Sequence, residues 1–246
     1  MRTAILAPGI SVIRASARLR TETSWLDSWH CFSFGRNYEP DNTHHGLLVA
    51  CNDNRVRGST GFGGHRHQEM EIVTWMVEGE LEHRDDAGRS HVLCPGLVRR
   101  LSAGRGLLHS EMNPAGWAPC RYIEMWVPPE AGRLDPAVEI ADVGRLLAAG
   151  GLVPVASGAG HEGAVTLQQP GAELWAGRLR PGEAAVVPDG PHVHGFVAVG
   201  DGILDTGGLA GTGHLFEGDS VRLVAAGAPV FTAGPSGAEL LVWVTA

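Results

Sequence analysis

Apolar and polar residues alternate with period two along most of this chain, and glycine or proline breaks the alternation at intervals of about 8–12 residues. This limits the fold more than any other feature does. Over 71–77, Ile72, Thr74 and Met76 face one way and Val73, Trp75 and Val77 the other. Successive side chains of an extended chain point to opposite faces, so the pattern predicts a strand. The same reading predicts strands over 81–83, 90–93, 98–102, 107–111 and 122–127, with turns such as Asp85-Asp86-Ala87-Gly88 and Pro95-Gly96 between them. It predicts more at 174–179, 184–187, 193–199, 214–216, 221–224 and 239–244. The 35 glycines and 15 prolines supply the turns. Residues 129–172 depart from the pattern. Val143, Leu146 and Leu147 sit at helical spacing there, which predicts a linker with one short helix over 142–149.

The halves resemble each other. Trp75-Met-Val-Glu-Gly79 matches Phe196-Val-Ala-Val-Gly200. Gly96-Leu-Val-Arg-Arg-Leu101 matches Gly218-Asp-Ser-Val-Arg-Leu223 with a one-residue shift, and Tyr122-Ile-Glu-Met-Trp-Val127 matches Leu240-Leu-Val-Trp-Val244. Self-similarity at this scale predicts an all-β chain of two tandem β-barrels, residues 1–128 and 173–246, joined by the linker 129–172.

The formal charge of −8, from 19 basic and 27 acidic residues, comes without any basic run, so no nucleic-acid backbone is expected as a direct partner. Every basic residue is arginine, and the absence of lysine excludes Schiff-base, P-loop and kinase lysine chemistry. No apolar run approaches the ~20 residues of a membrane span. Met1 to Pro8 is too short for a signal-peptide core. Cys31, Cys51, Cys94 and Cys120 lie far apart without a CxxC, and are expected as reduced thiols in a cytoplasmic, monomeric protein.

Two short motifs carry chemistry: His65-Arg66-His67 and His109-Ser110-Glu111. Residues i and i+2 of a strand share a face, about 6.6–6.8 Å apart, and neighbouring strands lie ~4.8 Å apart. Three imidazoles and a carboxylate at the corners of such a patch can converge on one ion and leave positions open for substrate or dioxygen. Iron, nickel, copper, manganese, zinc and cobalt all suit such donors. The other histidines read as structural. His44 and His45 fall in a polar loop. His83 and His91 would face each other at a hairpin rim, and His30 packs in a tryptophan-rich segment. His192-Val193-His194 repeats the HxH pattern, but counting from Gly200 and Gly218 puts Val186, Pro188, Phe231 and Ala233 at the ligand positions of the second half. None of these can bind a metal. His192 falls instead at the register of Glu71.

These motifs resemble those of the cupin superfamily and, within it, the pirin family. Gly61-Phe-Gly-Gly-His65-Arg-His67-Gln-Glu-Met-Glu71 is similar to the first cupin motif, and Ser102-Ala-Gly-Arg-Gly106-Leu-Leu-His109-Ser-Glu111-Met-Asn113 to the second. Glu78-Gly-Glu-Leu-Glu-His83-Arg-Asp-Asp-Ala-Gly88 resembles the pirin hairpin, and Trp25-Leu-Asp-Ser-Trp-His30-Cys-Phe-Ser-Phe34 the opening segment of bacterial pirin-like quercetin 2,3-dioxygenases. The resemblance implies a bicupin of jelly-roll barrels. It implies one divalent metal per chain, iron favoured, held by His65, His67, His109 and Glu111. It further implies a dioxygenase that opens the central ring of a flavonol such as quercetin with dioxygen and loss of carbon monoxide, Glu111 serving as ligand and as base. The alternative it implies is a non-enzymatic iron-binding regulator that binds a partner according to redox state. An isomerase on a cupin scaffold is a third reading. Arg66 stands where the family has proline, and Ser59 where it has glycine.

Overall fold

A computed structural model describes residues 4–7, 9–207 and 212–246, with side chains from 9 to 207 and from 213 onward. The ends of the segment weighed as a leader, 1–3 and 8, lie outside the described residues. The first half contributes β1 (Ala4–Ala7), β2 (Ile10–Ile13), β3 (Leu19–Glu22), β4 (Leu26–His30), β5 (Ala50–Val56), β6 (Gly61–His67) and β7 (Glu71–Glu78). It continues with β8 (Leu81–Asp85), β9 (Ser90–Leu93), β10 (Leu97–Ser102), β11 (Leu107–Met112) and β12 (Cys120–Val127). Next come β13 (Ala137–Asp142), α1 (Gly144–Ala148), β14 (Val153–Ser157), β15 (Val165–Thr166), β16 (Ala172–Leu179) and β17 (Ala184–Val186). The chain ends with β18 (His192–Asp205), β19 (Thr212–Phe216), β20 (Ser220–Val224) and β21 (Val230–Thr245). It is nearly all-β, as the alternation predicts, and forms the two barrels that the resemblance implies.

The first barrel sets a seven-stranded sheet, β13-β10-β7-β12-β5-β4-β3, against a four-stranded one, β6-β11-β8-β9. The second is a single ten-stranded sheet wound around the long strands β18 and β21. The pairings repeat. β11 lies on β6 and β8 as the start of β21 lies on β17 and the end of β18, and β12 lies on β7 as the end of β21 lies on the start of β18. Gly79 and Gly200 mark the same bend, with φ of +74° and +77°. A Cβ on Gly200 would meet the Gly237 carbonyl oxygen, so only glycine lets the strands cross so closely.

The boundaries read from sequence do not coincide with the sheets. β2 pairs with β20, Ile10 opposite Leu223, so the first strands complete the second barrel and not the first. The expected linker is woven into both barrels: β13 pairs with β10, while β14 and β15 extend the second sheet. Exposed sheet edges invite foreign strands, and these segments cover them. The expected helix is the five-residue α1. One apolar core joins the barrels, with Phe32, Trp75 and Met125 against Phe196, Leu241 and Trp243. The Trp75 indole donates across it to Glu239 at 2.6 Å, and the Trp243 indole to the Met125 sulfur at 3.0 Å. No helix among the described residues is long and apolar enough to cross a membrane.

Candidate metal centre

β6 and β11 build the centre by register alone. His65 and His67 share a face of β6, His109 directly opposes His65, and Glu111 follows it two residues on. Between His65 opposite His109 and Phe62 opposite Glu111 β6 bulges, with Gly63 and Gly64 against Ser110 alone. The freed Gly63 carbonyl accepts the His65 Nδ1–H at 2.8 Å, which leaves the Nε2 lone pair for the site. Donor nitrogens of His65, His67 and His109 lie within 4.8 Å of one another, and so do donor atoms of His83, His109 and Glu111.

His83 is not at a rim. Its ring does stack on His91, at 4.5 Å, but β8 also pairs with β11 and sets His83 opposite Glu111, fully buried. There it ends a chain of hydrogen bonds that fixes the tautomer of His109. Burial would raise Asp85, but its bonds from Arg89 outweigh that and hold it ionised, at about 2. Asp85 accepts the His83 Nε2–H at 3.2 Å, so the His83 Nδ1 is an acceptor. It takes an Arg99 N–H at 3.2 Å and the His109 Nδ1–H at 3.1 Å. The His109 Nε2 is left as a buried lone pair with no hydrogen-bond partner. A carboxylate behind an imidazole, holding the next ring in one orientation, is the usual support of a metal-binding histidine. The donor set therefore fits a divalent transition metal.

Electrostatics agree with this. Burial, helped by neighbouring positive groups, lowers His67 to about 4 and His109 to about 3, so both are neutral donors at neutral pH. Burial would raise Glu111, but Arg99 and His109 pull it down to about 2. Arg99, fully buried, grips Glu111 and donates to Thr74 at 2.7 Å.

The facing sheet presents a row of opposed residues, Arg99, Thr74, Glu124, Asn52 and His30, on five strands. Opposed residues share a face, so this polar row runs beneath the cluster. His30, expected only to pack, is bonded to Asn52 and Thr21, each at 2.8 Å. A cavity of about 470 Å³ lies above the row and opens onto His65, His67 and Glu111, with Phe34, Phe62 and Trp126 as aromatic walls. Burial and the Glu111 charge push Glu124 up to about 8, and its carboxyl accepts the Trp126 indole N–H at 2.8 Å.

Glu124 gives a pH test on metal-free protein. Its folded value exceeds its ordinary 4.5, so the folded state keeps a proton that the unfolded chain has lost. Its contribution to stability is therefore lost as pH rises toward 8. The lowered histidines still shed protons from the unfolded chain for about a pH unit above 6.5, an opposing effect that the wild type shares with Glu124→Gln. Between pH 6.5 and 8 the melting temperature of the wild type should fall relative to that of Glu124→Gln. Parallel profiles would contradict the assignment.

Elsewhere, Arg66 points away from the cluster, exposed, with its guanidinium against Gly106. In the second barrel Phe231 opposes the buried Ala185, whereas Val186 opposes Val230 and is exposed, so the count back from Gly200 falls one residue off on β17; neither Ala185 nor Phe231 carries a metal donor. His192 opposes Thr245 as Glu71 opposes Val127, the register read from sequence. His44 is exposed as expected. His45 is not: its ring lies against His192 at 5.3 Å and its Nε2 meets the Leu223 carbonyl at 3.1 Å. All four cysteines are free.

A profile of the Pirin family matches residues 12–127. A Mycobacterium tuberculosis protein provisionally named quercetin 2,3-dioxygenase is 45% identical over 236 residues, 95% of this chain and 94% of its own length. An Escherichia coli K12 protein named quercetin 2,3-dioxygenase is 36% identical over 126 residues, 51% of this chain and 54% of its own. The crystal structure of the bacterial pirin YhhW from Escherichia coli in complex with nickel(II) superposes with a TM-score of 0.85 at 28% identity, covering 96% of this chain and 99% of that one. With a matching profile over its first barrel, a relative similar along nearly its whole length and a pirin of the same fold, the chain belongs to the pirin family.

Proposed function

We propose that this pirin is a metal-dependent dioxygenase that cleaves flavonols such as quercetin, with His65, His67, His109 and Glu111 holding one divalent metal, iron favoured and nickel the ion of the Escherichia coli relative. The observation that carries the reading is the cavity. Its roughly 470 Å³ falls within the ~300–1,000 Å³ of small-molecule sites, and it adjoins the cluster. A metal bound there supplies Lewis acidity toward a flavonol oxygen and open positions for small ligands. The chain's residues do the rest. Phe34, Phe62 and Trp126 hold flat rings. Asn52 and Asn54, oriented by His30 and Ser28, offer amide groups to phenolic oxygens. Arg99 fixes one Glu111 oxygen, Oε1, so Oε2 is the atom that takes the 3-hydroxyl proton. Its low proton affinity suits only a hydroxyl already acidified by a cation.

The test is oxygen uptake by metal-loaded protein over a small flavonol panel. Flavonol and dioxygen should disappear in equal amounts, with carbon monoxide released. Full metal loading with no uptake on any flavonol would leave the regulator, which shares the ligands but has no use for the cavity.

A further inference from the structure

β5 works on two faces. Alternation turns Asn52 and Asn54 into the cavity and Cys51 into the core between the barrels. Cys31 lies beside Cys51, its N–H donating to the Cys51 carbonyl at 3.0 Å. β18 of the second barrel brings His194 to the same point, and the two sulfurs and a His194 ring nitrogen lie within 4.8 Å of one another. All three side chains are buried at 1% exposure, and both thiols are free. Neither ring nitrogen of His194 has a nitrogen or oxygen partner, and the ring meets the Cys31 thiol. Packing alone does not account for this, because an apolar side chain would fill the space without burying an imidazole that only thiols can partner.

The surroundings are soft and positive. Met125 opposes Cys51 on β12, so the two share a face. The Arg222 guanidinium lies over the Phe32 ring at 4.3 Å and donates to the Cys31 carbonyl at 2.8 Å. Arg222 also lines a surface cleft with Tyr38, Asp41 and Asn42.

We propose that Cys31, Cys51 and His194 form a second metal site, for a thiophilic closed-shell ion, that ties the two barrels together. Two thiolates and an imidazole favour Cu+ and Zn2+ among the biological metals. Structural Zn2+ takes four ligands, and only three donors converge here among the described residues. Cu+ is satisfied by three, and the Arg222 charge offsets the second thiolate. Cu+ is therefore the expected ion.

The test uses the His65→Ala/His67→Ala variant, which disables the first centre. Under anaerobic reducing conditions it competes with a chromophoric chelator for Cu+ and, in parallel, for Zn2+. One equivalent of Cu+ should be retained, and retention should be lost in Cys51→Ser and in His194→Ala on that background. Zn2+ retained on the same residues would support the site and change its ion. X-ray absorption of copper-loaded wild type needs no variant and should show sulfur neighbours. Folded, reduced protein that retains neither ion, retention unchanged by Cys51→Ser, or copper with only nitrogen and oxygen neighbours would each overturn the proposal.

Discussion

Glu111→Gln is expected to lower flavonol-dependent oxygen uptake per bound metal by roughly 10²–10⁴-fold, the usual range for losing a general base. The three histidines remain, as in three-histidine zinc sites, so metal is retained, bound about 10–100-fold more weakly. The substitution keeps the side-chain size and one oxygen donor and removes the charge and the proton acceptor. Oxygen consumption divided by the metal content of each preparation separates the two effects. Equal rates per metal ion in the two proteins would eliminate Glu111 as the base.

Arg99→Met is expected to destabilise the metal-free protein by about 3–5 kcal/mol, because it strands the Glu111 carboxylate in a buried site with its strongest partner gone. At about 2–4 °C per kcal/mol for a chain of this size, the melting temperature falls by about 6–20 °C. In metal-loaded protein the bound cation becomes the partner of Glu111, so the loss is smaller. Thermal unfolding with and without metal reads the difference. An equal fall in both forms would mean that Arg99 only fills space.

The two candidate ligand motifs were legible because each is local: i and i+2 on a strand share a face whatever the strand pairs with. The register count from Gly200 set His192 opposite the end of β21, as Glu71 lies opposite the end of β12, but it slipped by one residue on β17, where Ala185 and not Val186 faces Phe231. What sequence reading missed depends on which strand neighbours which. His83 looked like a rim residue because only its hairpin partner His91 is close in sequence, and β11 on its other side is not. Arg99 and Arg100 carried no sequence signal beyond their place in a strand. Alternation sends Arg99 to Glu111 and Arg100 to Glu139, both buried. Glu124 hides among the apolar residues 122–127, and its place in the polar row appears only when Thr74 and Asn52 are found on either side of it. Asp85 looked like a turn residue, and it is one, but its second oxygen supports the centre.

The most direct test of the account compares metal-loaded wild type with His65→Ala/His67→Ala, measuring oxygen uptake with quercetin alongside the iron or nickel content of each protein. The account predicts that the double variant stays folded, loses that metal and loses the uptake with it. Uptake that survives in the double variant, or that disappears instead in a His192→Ala/His194→Ala protein with an intact first barrel, would contradict it.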